Sequence, residues 1–518
     1  MPGNKEVELK FQVPPSSRAA VLAELCRGRL PVERTTLAAR YLDTRDRRLA
    51  RKGLAWRLRR EGGRWVQTLK AGGASPLERF EHEVILPDAN HDAAHHAGTA
   101  AGKRLLHLLE RTGKGGGAVG VRFQTSVRRT SRRLRTRGAV GEVSFDEGRL
   151  IAGDRSQRIR EVEFELVSGS PVAMVDLAER WQRQFGLVYD PRSKAERGDR
   201  LADGSPFPPL RKALAPSCEP HATALQAFES VLDECLAHVS RNVIGLAEGD
   251  PDQRVEHVHQ VRVGIRRLRS ALRCFEGWVP LPPPELVNRL RGVFAALGQV
   301  READVLGGGV VAELALAGAP PLLSPAGATG PNPADIARSA DTQQLLLAWI
   351  GWRSSFTAST PQPDAKGAAA APSARRGSAP LEHGDDPRAF RRSAQQRLRR
   401  WHRRLSADCA RFDELDETAL HALRKRIKRQ RYAVEFFAPV LRRKAVKRYV
   451  DALAPIQDRM GELNDLIVAR DQYHALVAKD PGAWFALGWL AARTQQVRSL
   501  ARPELERAVK VKPPEARR

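Results

Sequence analysis

No stretch of this chain approaches the ~18–20 consecutive apolar residues that a membrane-spanning helix needs, so a helical membrane anchor is not expected. Cysteine is scarce: Cys26, Cys218, Cys235, Cys274 and Cys409 lie far apart, with no C-x-x-C pair. That spacing argues against a disulfide scaffold and fits a reduced, cytoplasmic setting. Aromatic residues make up only 6% of the chain, and no helix-turn-helix or zinc-finger spacing stands out, so nucleic acid is expected as a non-specific partner only. The opening Met1-Pro-Gly-Asn-Lys runs straight into a charged segment, without the apolar stretch of a signal peptide. Acid is in short supply, with 60 Asp and Glu against 87 Lys and Arg. The formal net charge is therefore +27, and such a surplus calls for polyanionic company. With 42% hydrophobic residues among 518, the chain can bury two cores.

What is present begins with Glu6-Val7-Glu8-Leu9-Lys10. Strict alternation is the strand period. It sends Glu6, Glu8 and Lys10 to one face and Val7, Leu9 and Phe11 to the other. Glu161-Val-Glu163-Phe-Glu165-Leu repeats the pattern, as do Ala55, Arg57 and Arg59 between Leu54, Trp56 and Leu58, then Gln67-Thr-Leu-Lys70 and Phe80-Glu-His-Glu83-Val. Acids dominate some charged faces and bases others. Closing these strands into a barrel brings both sets into one lumen, with the apolar faces outside under helices. Such a lumen suits a phosphate chain chelated to a divalent cation, carboxylates taking the metal while Arg and Lys take the phosphate oxygens.

In order along residues 4–203, the charged blocks resemble the CYTH superfamily, the triphosphate tunnel metalloenzymes. The blocks are Glu6-x-Glu8-x-Lys10, Tyr41-Leu-Asp43-Thr44, Trp56-Arg57-Leu-Arg59, Thr68-Leu-Lys70, Arg79-x-Glu81-x-Glu83, Val127-Arg128-Arg129, Glu142-Val-Ser-Phe-Asp146, Glu161 to Leu166, and Ser193-Lys194 with Arg197-Gly198. The resemblance implies an α+β domain, an eight-stranded antiparallel tunnel barrel with flanking helices. It also implies one or two Mg²⁺ or Mn²⁺ ions on Glu6, Glu8, Glu161 and Glu163, which with Lys10 form the catalytic set. A clamp of Lys10, Arg57, Arg59, Lys70, Arg128 and Lys194, with Asp146, would hold the substrate. Arg122 or Arg129 could stand in for Arg128, and Asp146 and Glu165 could either touch the ligand or orient a basic neighbour. The implied activity is metal-dependent hydrolysis of inorganic triphosphate to pyrophosphate and phosphate. Alternatives within the superfamily are a class IV-type adenylate cyclase and a thiamine or nucleoside triphosphatase; a non-catalytic polyphosphate-granule protein is an alternative of another class.

From about residue 221 the strand period gives way to long helical windows. Two of them share one pattern at an offset of 162 residues: His259, Arg262, Arg266 and Arg269, then His421, Arg424, Lys428 and Arg431. Steps of three and four put each set on one helix face, with Val261, Ile265 and Leu268, or Leu423, Ile427 and Val434, on another. Like charges at this spacing repel unless an anion neutralises them. A second shared block follows, Leu297-Gly298-Gln-Val-Arg301-Glu-Ala-Asp304 and Met460-Gly461-Glu-Leu-Asn464-Asp465. These features resemble the CHAD domain. The resemblance implies an all-α C-terminal domain of two pseudo-symmetric helical bundles, whose basic cavity binds inorganic polyphosphate through the eight side chains of the two stripes. Protonation of the histidines would strengthen binding below about pH 6.5. It further implies a cytoplasmic protein associated with polyphosphate granules.

The expected division is a barrel over 1–203, a linker over 204–217 and a helical domain over 218–512. Pro-, Ala-, Gly- and Ser-rich runs interrupt the last at about 315–388, leaving room for one helix from Ala340 to Phe356. Two weaker patterns carry no function. Gly98-Thr-Ala-Ala-Gly102-Lys103-Arg104 is one residue short of a P-loop and lacks its hydroxyl. His91, His95 and His96 read as a polar loop. The pattern sets no oligomeric state.

Overall fold

The computed structural model describes residues 4–28, 30–73, 78–110, 118–305, 310–323, 331–358 and 386–517, the side chains of 4–5, 301–305 and 357–358 excepted. The Pro361 and Ala368 runs lie outside the described residues. The chain forms two compact units, one of residues 1–211, 236–257 and 334–366, the other of 212–235, 258–333 and 367–518.

The first unit is built on β1 (Asn4–Gln12), β2 (Glu33–Asp43), β3 (Leu54–Glu61), β4 (Arg64–Gly72), β5 (Glu78–Leu86), β6 (Gly120–Arg135), β7 (Ala139–Ala152), β8 (Arg155–Gly169) and the two-residue β9 (Val188–Tyr189). Every pairing is antiparallel, in the order β5-β4-β3-β2-β6-β7-β8-β1-β9, and β1 also pairs with β5. β1 closes the cylinder by dividing its length: residues 4–7 pair with β5 and residues 8–12 with β8. The result is a closed eight-stranded antiparallel barrel, with β9 laid beside the end of β1.

Alternation along the strands decides what faces where. The outward residues of β1, β7 and β8 pack beneath α4 (Pro171–Phe185). Phe11 meets Phe164 edge to face at 5.6 Å, and Phe164 meets Trp181 at 5.6 Å. Leu54, Trp56 and Leu69 form a second outer cluster with α2 (Arg48–Arg51) and α3 (Ala100–Glu110). The lumen is not charged throughout, as the alternation alone implied. Leu37, Ala39, Tyr41, Phe123, Val127, Leu150 and Ile159 form an apolar cluster with Leu201 of α5 (Lys194–Ala202). These residues share strand parity with the charged ones but sit further along the strands, where α5 covers them. Gly198 permits that approach, since a Cβ there would lie 2.1 Å from the Phe123 ring. Also in this unit are the end of α6 (Ala224–Glu248), the start of α7 (Arg254–Phe275), and α10 (Pro333–Arg338) with α11 (Ala340–Ala358), which packs on α4. The expected helix from Ala340 thus runs two residues past Phe356.

The second unit is helical. Its elements are the start of α6, the rest of α7, α8 (Pro284–Val305), α9 (Val311–Leu316), α12 (Pro387–Ala410), α13 (Glu417–Phe437), α14 (Arg443–His474) and α15 (Ala483–Lys510). Asp416 caps α13 by accepting the Ala419 N–H at 2.7 Å, and Asp386 caps α12 with Pro387 at its first turn. Phe275 of α7 and Phe437 of α13 meet at 5.2 Å, with Phe228 and Phe390 against Phe275. The aromatic ends of the two similar helices thus share one core.

Candidate functional site: a charged barrel lumen and a basic helical cavity

The lumen of the barrel holds a cavity of about 540 Å³ lined by ten acidic and nine basic side chains. Strand register brings them together. Lys10 lies opposite Glu163 and Glu8 opposite Glu165. Glu6 lies opposite Arg79, Lys70 opposite Glu81 and Arg129 opposite Asp146. Four of these pairs oppose charges of unlike sign, which stabilises an antiparallel pair, whereas Glu8 and Glu165 are like charges and repel.

Two acidic neighbourhoods emerge. In one, oxygens of Asp146, Glu161 and Glu163 lie within 4.8 Å of one another, the one such acidic trio among the described residues. Lys194 reaches all three, at 2.7 Å from Asp146 and 2.9 Å from Glu163, with Glu161 its third partner. Arg129 chelates Asp146 through Nε at 2.8 Å and Nη2 at 2.7 Å, and meets Glu163 at 2.5 Å. Arg197 holds the far oxygen of Glu161 at 2.6 Å. Burial alone would raise the Asp146 and Glu163 carboxyls, but Arg129 and Lys194 outweigh it and hold both below their usual range.

In the other neighbourhood, Glu8 takes Arg79 at 2.7 Å and Lys10 at 2.8 Å. Against the opposing effect of burial, Lys10 and Arg79 bring its pKa down to about 2. Lys70 bridges Glu6 at 3.0 Å and Glu81 at 2.7 Å. Even so, burial together with Glu8 and Glu81 pushes Glu6 up to about 7. Burial and the nearby Glu6 push Glu165 to about 7 as well. Negative charge is therefore in excess on this side of the lumen, the electrostatic condition that a divalent cation relieves. Beside it, Arg57 reaches Glu81 at 3.6 Å, and Arg57 and Arg59 share Glu83, at 3.5 and 3.3 Å.

In the second unit, the facing stripes of α7 and α13 line a cavity of about 1000 Å³. Nine of its lining side chains are Lys or Arg, and only Glu276 and Asp465 oppose them. Arg262 stacks over Phe294 at 4.2 Å and donates to its carbonyl at 2.9 Å. His421 pairs with Asn464 at 3.1 Å, so in the second copy the shared block supplies a polar partner to the stripe. Burial, then Arg424 and Arg266, bring Lys428 down to about 7. Burial also lowers His421.

Comparison with known families agrees with both halves. A CYTH domain model matches residues 4–198 and a CHAD domain model residues 230–474. The chain joins a CYTH domain to a CHAD domain. An inorganic triphosphatase of Haemophilus influenzae is 29% identical over 198 residues, which span 38% of this chain and 54% of that protein. Among solved structures, the CHAD domain of the plant Ricinus communis is 29% identical, covers 60% of this chain and 99% of its own, and superposes with a TM-score of 0.44. A protein of Pyrococcus horikoshii is 19% identical, covers 37% and 96%, and has a TM-score of 0.24.

Within the CYTH lumen stand Glu6, Glu8, Lys10, Arg57, Arg59, Lys70, Asp146, Glu163 and Lys194, all of them expected site residues. Glu161 shares their parity but is buried below the cavity surface, under Lys194 and Arg197. The carboxylates divide differently from the expected metal set: Glu161 and Glu163 gather with Asp146, while Glu6 and Glu8 gather with Lys70, Lys10 and Arg79. Arg128 is a correction. Phe123, Thr125, Val127 and Arg129 of β6 face inward, so Arg128 has the opposite parity and is exposed. Arg129 and Arg122 line the cavity instead. Arg79, Glu81 and Glu83 also line the cavity, beyond the expected site residues, and their i, i+2, i+4 alternation is the sequence signal that puts them on one face.

In the CHAD cavity stand His259, Arg262, Arg266, Arg269, His421, Arg424 and Lys428, joined by Arg273, Arg291, Lys425 and Arg429. Arg431 is the second correction. Its guanidinium turns to Glu435, one turn on, at 3.0 Å, so the stripe ends one residue early. None of the described helices is long and apolar enough to cross a membrane.

Proposed function

We propose that the CYTH barrel hydrolyses inorganic triphosphate to pyrophosphate and phosphate with Mg²⁺ or Mn²⁺, and that the CHAD cavity binds inorganic polyphosphate. One observation carries the first half: acids and bases are nearly balanced in the lumen and already paired with one another. A polyanion entering alone would face as much repulsion as attraction. A polyanion entering with a divalent cation allows an exchange of partners. The carboxylates of Glu6, Glu8, Asp146, Glu161 and Glu163 would hold the cation, and Lys10, Arg57, Arg59, Lys70, Arg129 and Lys194 would hold the phosphate oxygens. The donor set, all carboxylate oxygen with nearby lysines and no sulfur or imidazole, fits a hard divalent ion.

When bound, the cation supplies charge neutralisation and a polarised water for attack on phosphorus. The protein's own contribution is positioning. Arg129 and Lys194 would hold one end of the phosphate chain, and Arg57, Arg59 and Lys70 the other, in a site where most of the charges are fixed before substrate arrives. The curated inorganic triphosphatase relative supports this reading over the barrel-sized match. The helical cavity has the opposite balance, nine bases to two acids, which suits a long polyanion without any metal.

The test is a substrate panel. The purified protein is incubated with tripolyphosphate, ATP and thiamine triphosphate, in Mg²⁺, Mn²⁺ or EDTA, while phosphate, pyrophosphate and cyclic AMP are followed. Metal-dependent phosphate release from tripolyphosphate, lost in Glu8→Gln, is the expected result. Formation of cyclic AMP would move the assignment to a cyclase. Absence of turnover with retained polyphosphate binding would leave a granule-binding protein.

A further inference from the structure

Residues 188–197 of the first unit run from β9 into the first turn of α5, and their inner side faces the barrel cavity. The Asp190 N–H bonds to the Lys10 carbonyl at 2.9 Å. The Pro191 carbonyl accepts from Arg79 at 3.1 Å. Ser193 caps α5 through the Glu196 N–H at 3.1 Å, and Lys194 and Arg197 reach the acidic trio. Two side chains from outside the CYTH-matched residues grip the same segment from its other side. The Tyr189 N–H donates to Gln343 Oε1 of α11 at 2.8 Å. Gln343 is fully buried and donates in turn to the Ala337 carbonyl at 2.7 Å, so its amide has one orientation. Arg241 of α6 holds Glu196 with two bonds, at 2.5 and 3.0 Å. Neighbouring Asn242, fully buried, ties that part of α6 to the Arg211 backbone at 2.8 Å and to His257 at 3.0 Å.

We propose that Arg241 and Gln343 are positioning residues for the phosphate cavity: together they fix residues 189–196 so that Lys194, Arg79 and Lys10 stand where the phosphate chain needs them. Arg241 itself borders the cavity, but both of its terminal nitrogens, Nη1 and Nη2, donate to the Glu196 carboxylate, and the proposal has it act through Glu196. The proposal rests on the triphosphate reading above for its ligand. Its physical basis is that small displacements of pre-set charges are costly to rate, and that partners one step behind a site typically change affinity or rate by ~10–100-fold when removed.

The test uses the full-length protein. Arg241→Met and Gln343→Leu are compared with wild type by tripolyphosphate kcat and KM in Mn²⁺, by hydrogen exchange over residues 188–197, and by polyphosphate retention in the helical cavity. A loss of kcat/KM on the order of 10–100-fold is expected, with faster exchange confined to 188–197 and retention unchanged. The exchanged pair Arg241→Glu with Glu196→Arg is expected to recover much of the activity, because the bridge re-forms. Failure of that recovery beside an active Arg241→Lys would mean Arg241 contacts the anion directly and would overturn its assignment. Unchanged kinetics and exchange in both single variants would overturn the proposal whole. Should wild type neither bind nor hydrolyse tripolyphosphate, the triphosphate reading fails, and exchange over 188–197 alone decides whether the two grips exist.

Discussion

Lys194→Met removes an ammonium that touches three carboxylates, two of them buried, and leaves Arg129 and Arg197 to hold them. Three acids then face two cations where three had been, so one negative charge is stranded in a site whose Asp146 is fully buried. Breaking a buried ion pair from one side costs about 3–5 kcal/mol. For a unit of this size each kcal/mol lowers the melting temperature by about 2–4 °C, giving a drop of roughly 6–20 °C in the barrel's transition. The stranded charge is also what a divalent ion binds. At a hundredfold excess over its dissociation constant, Mn²⁺ should return about 2.7 kcal/mol. Thermal unfolding of wild type and variant, in EDTA and in Mn²⁺, reads both numbers: a wide gap between the two in EDTA, and a rise in the variant's own melting temperature when Mn²⁺ is added. A variant whose melting temperature does not rise in Mn²⁺ would mean that Asp146, Glu161 and Glu163 do not accept a cation. No gap at all would refute the bridging role of Lys194.

The other expectations are more quickly stated. Arg129→Ala should cost ~100–1000-fold in kcat for tripolyphosphate, as loss of a pre-set electrostatic donor does, while the outward-facing Arg128→Ala should stay within twofold or so of wild type; reversed outcomes would invert the β6 parity. EDTA should abolish tripolyphosphate binding by the barrel yet leave polyphosphate retention intact, because the helical cavity has bases to spare; calorimetry with each ligand separates the two, and metal-dependent polyphosphate retention would count against that charge balance. Polyphosphate affinity should rise as pH falls from the ordinary lysine range toward 7 and level off below it. The free Lys428 is held down to about 7, and a bound anion raises it again, so the complex takes up a proton in that window; each unit regained is worth up to tenfold. Lys428→Met should flatten the profile, and proton uptake measured in buffers of different ionisation enthalpy checks the sign.

Much of this architecture follows from alternation alone. Glu6-Val-Glu-Leu-Lys and Glu161 to Leu166 can bury Leu9, Phe11, Val162 and Phe164 only by turning their charges to the other face, so the strands and a charged lumen were legible from period two. The helical stripes were equally legible, because steps of three and four admit one face only. What the linear pattern could not carry is register and neighbourhood. Whether Arg128 or Arg129 faces inward depends on strand phase, and Val127-Arg128-Arg129 taken alone admits either. That Asp146 joins Glu161 and Glu163 depends on β7 lying between β6 and β8. That Arg431 leaves its stripe depends on Glu435 being within reach of a long, flexible side chain. The apolar plug beneath α5, and the grip of Arg241 and Gln343 on residues 189–196, join positions from 37 to 343 that no local rule connects. A sequence sets which side chains share a face, because backbone geometry is periodic; only the closed fold sets which faces meet, because that is decided by how distant strands and helices pack.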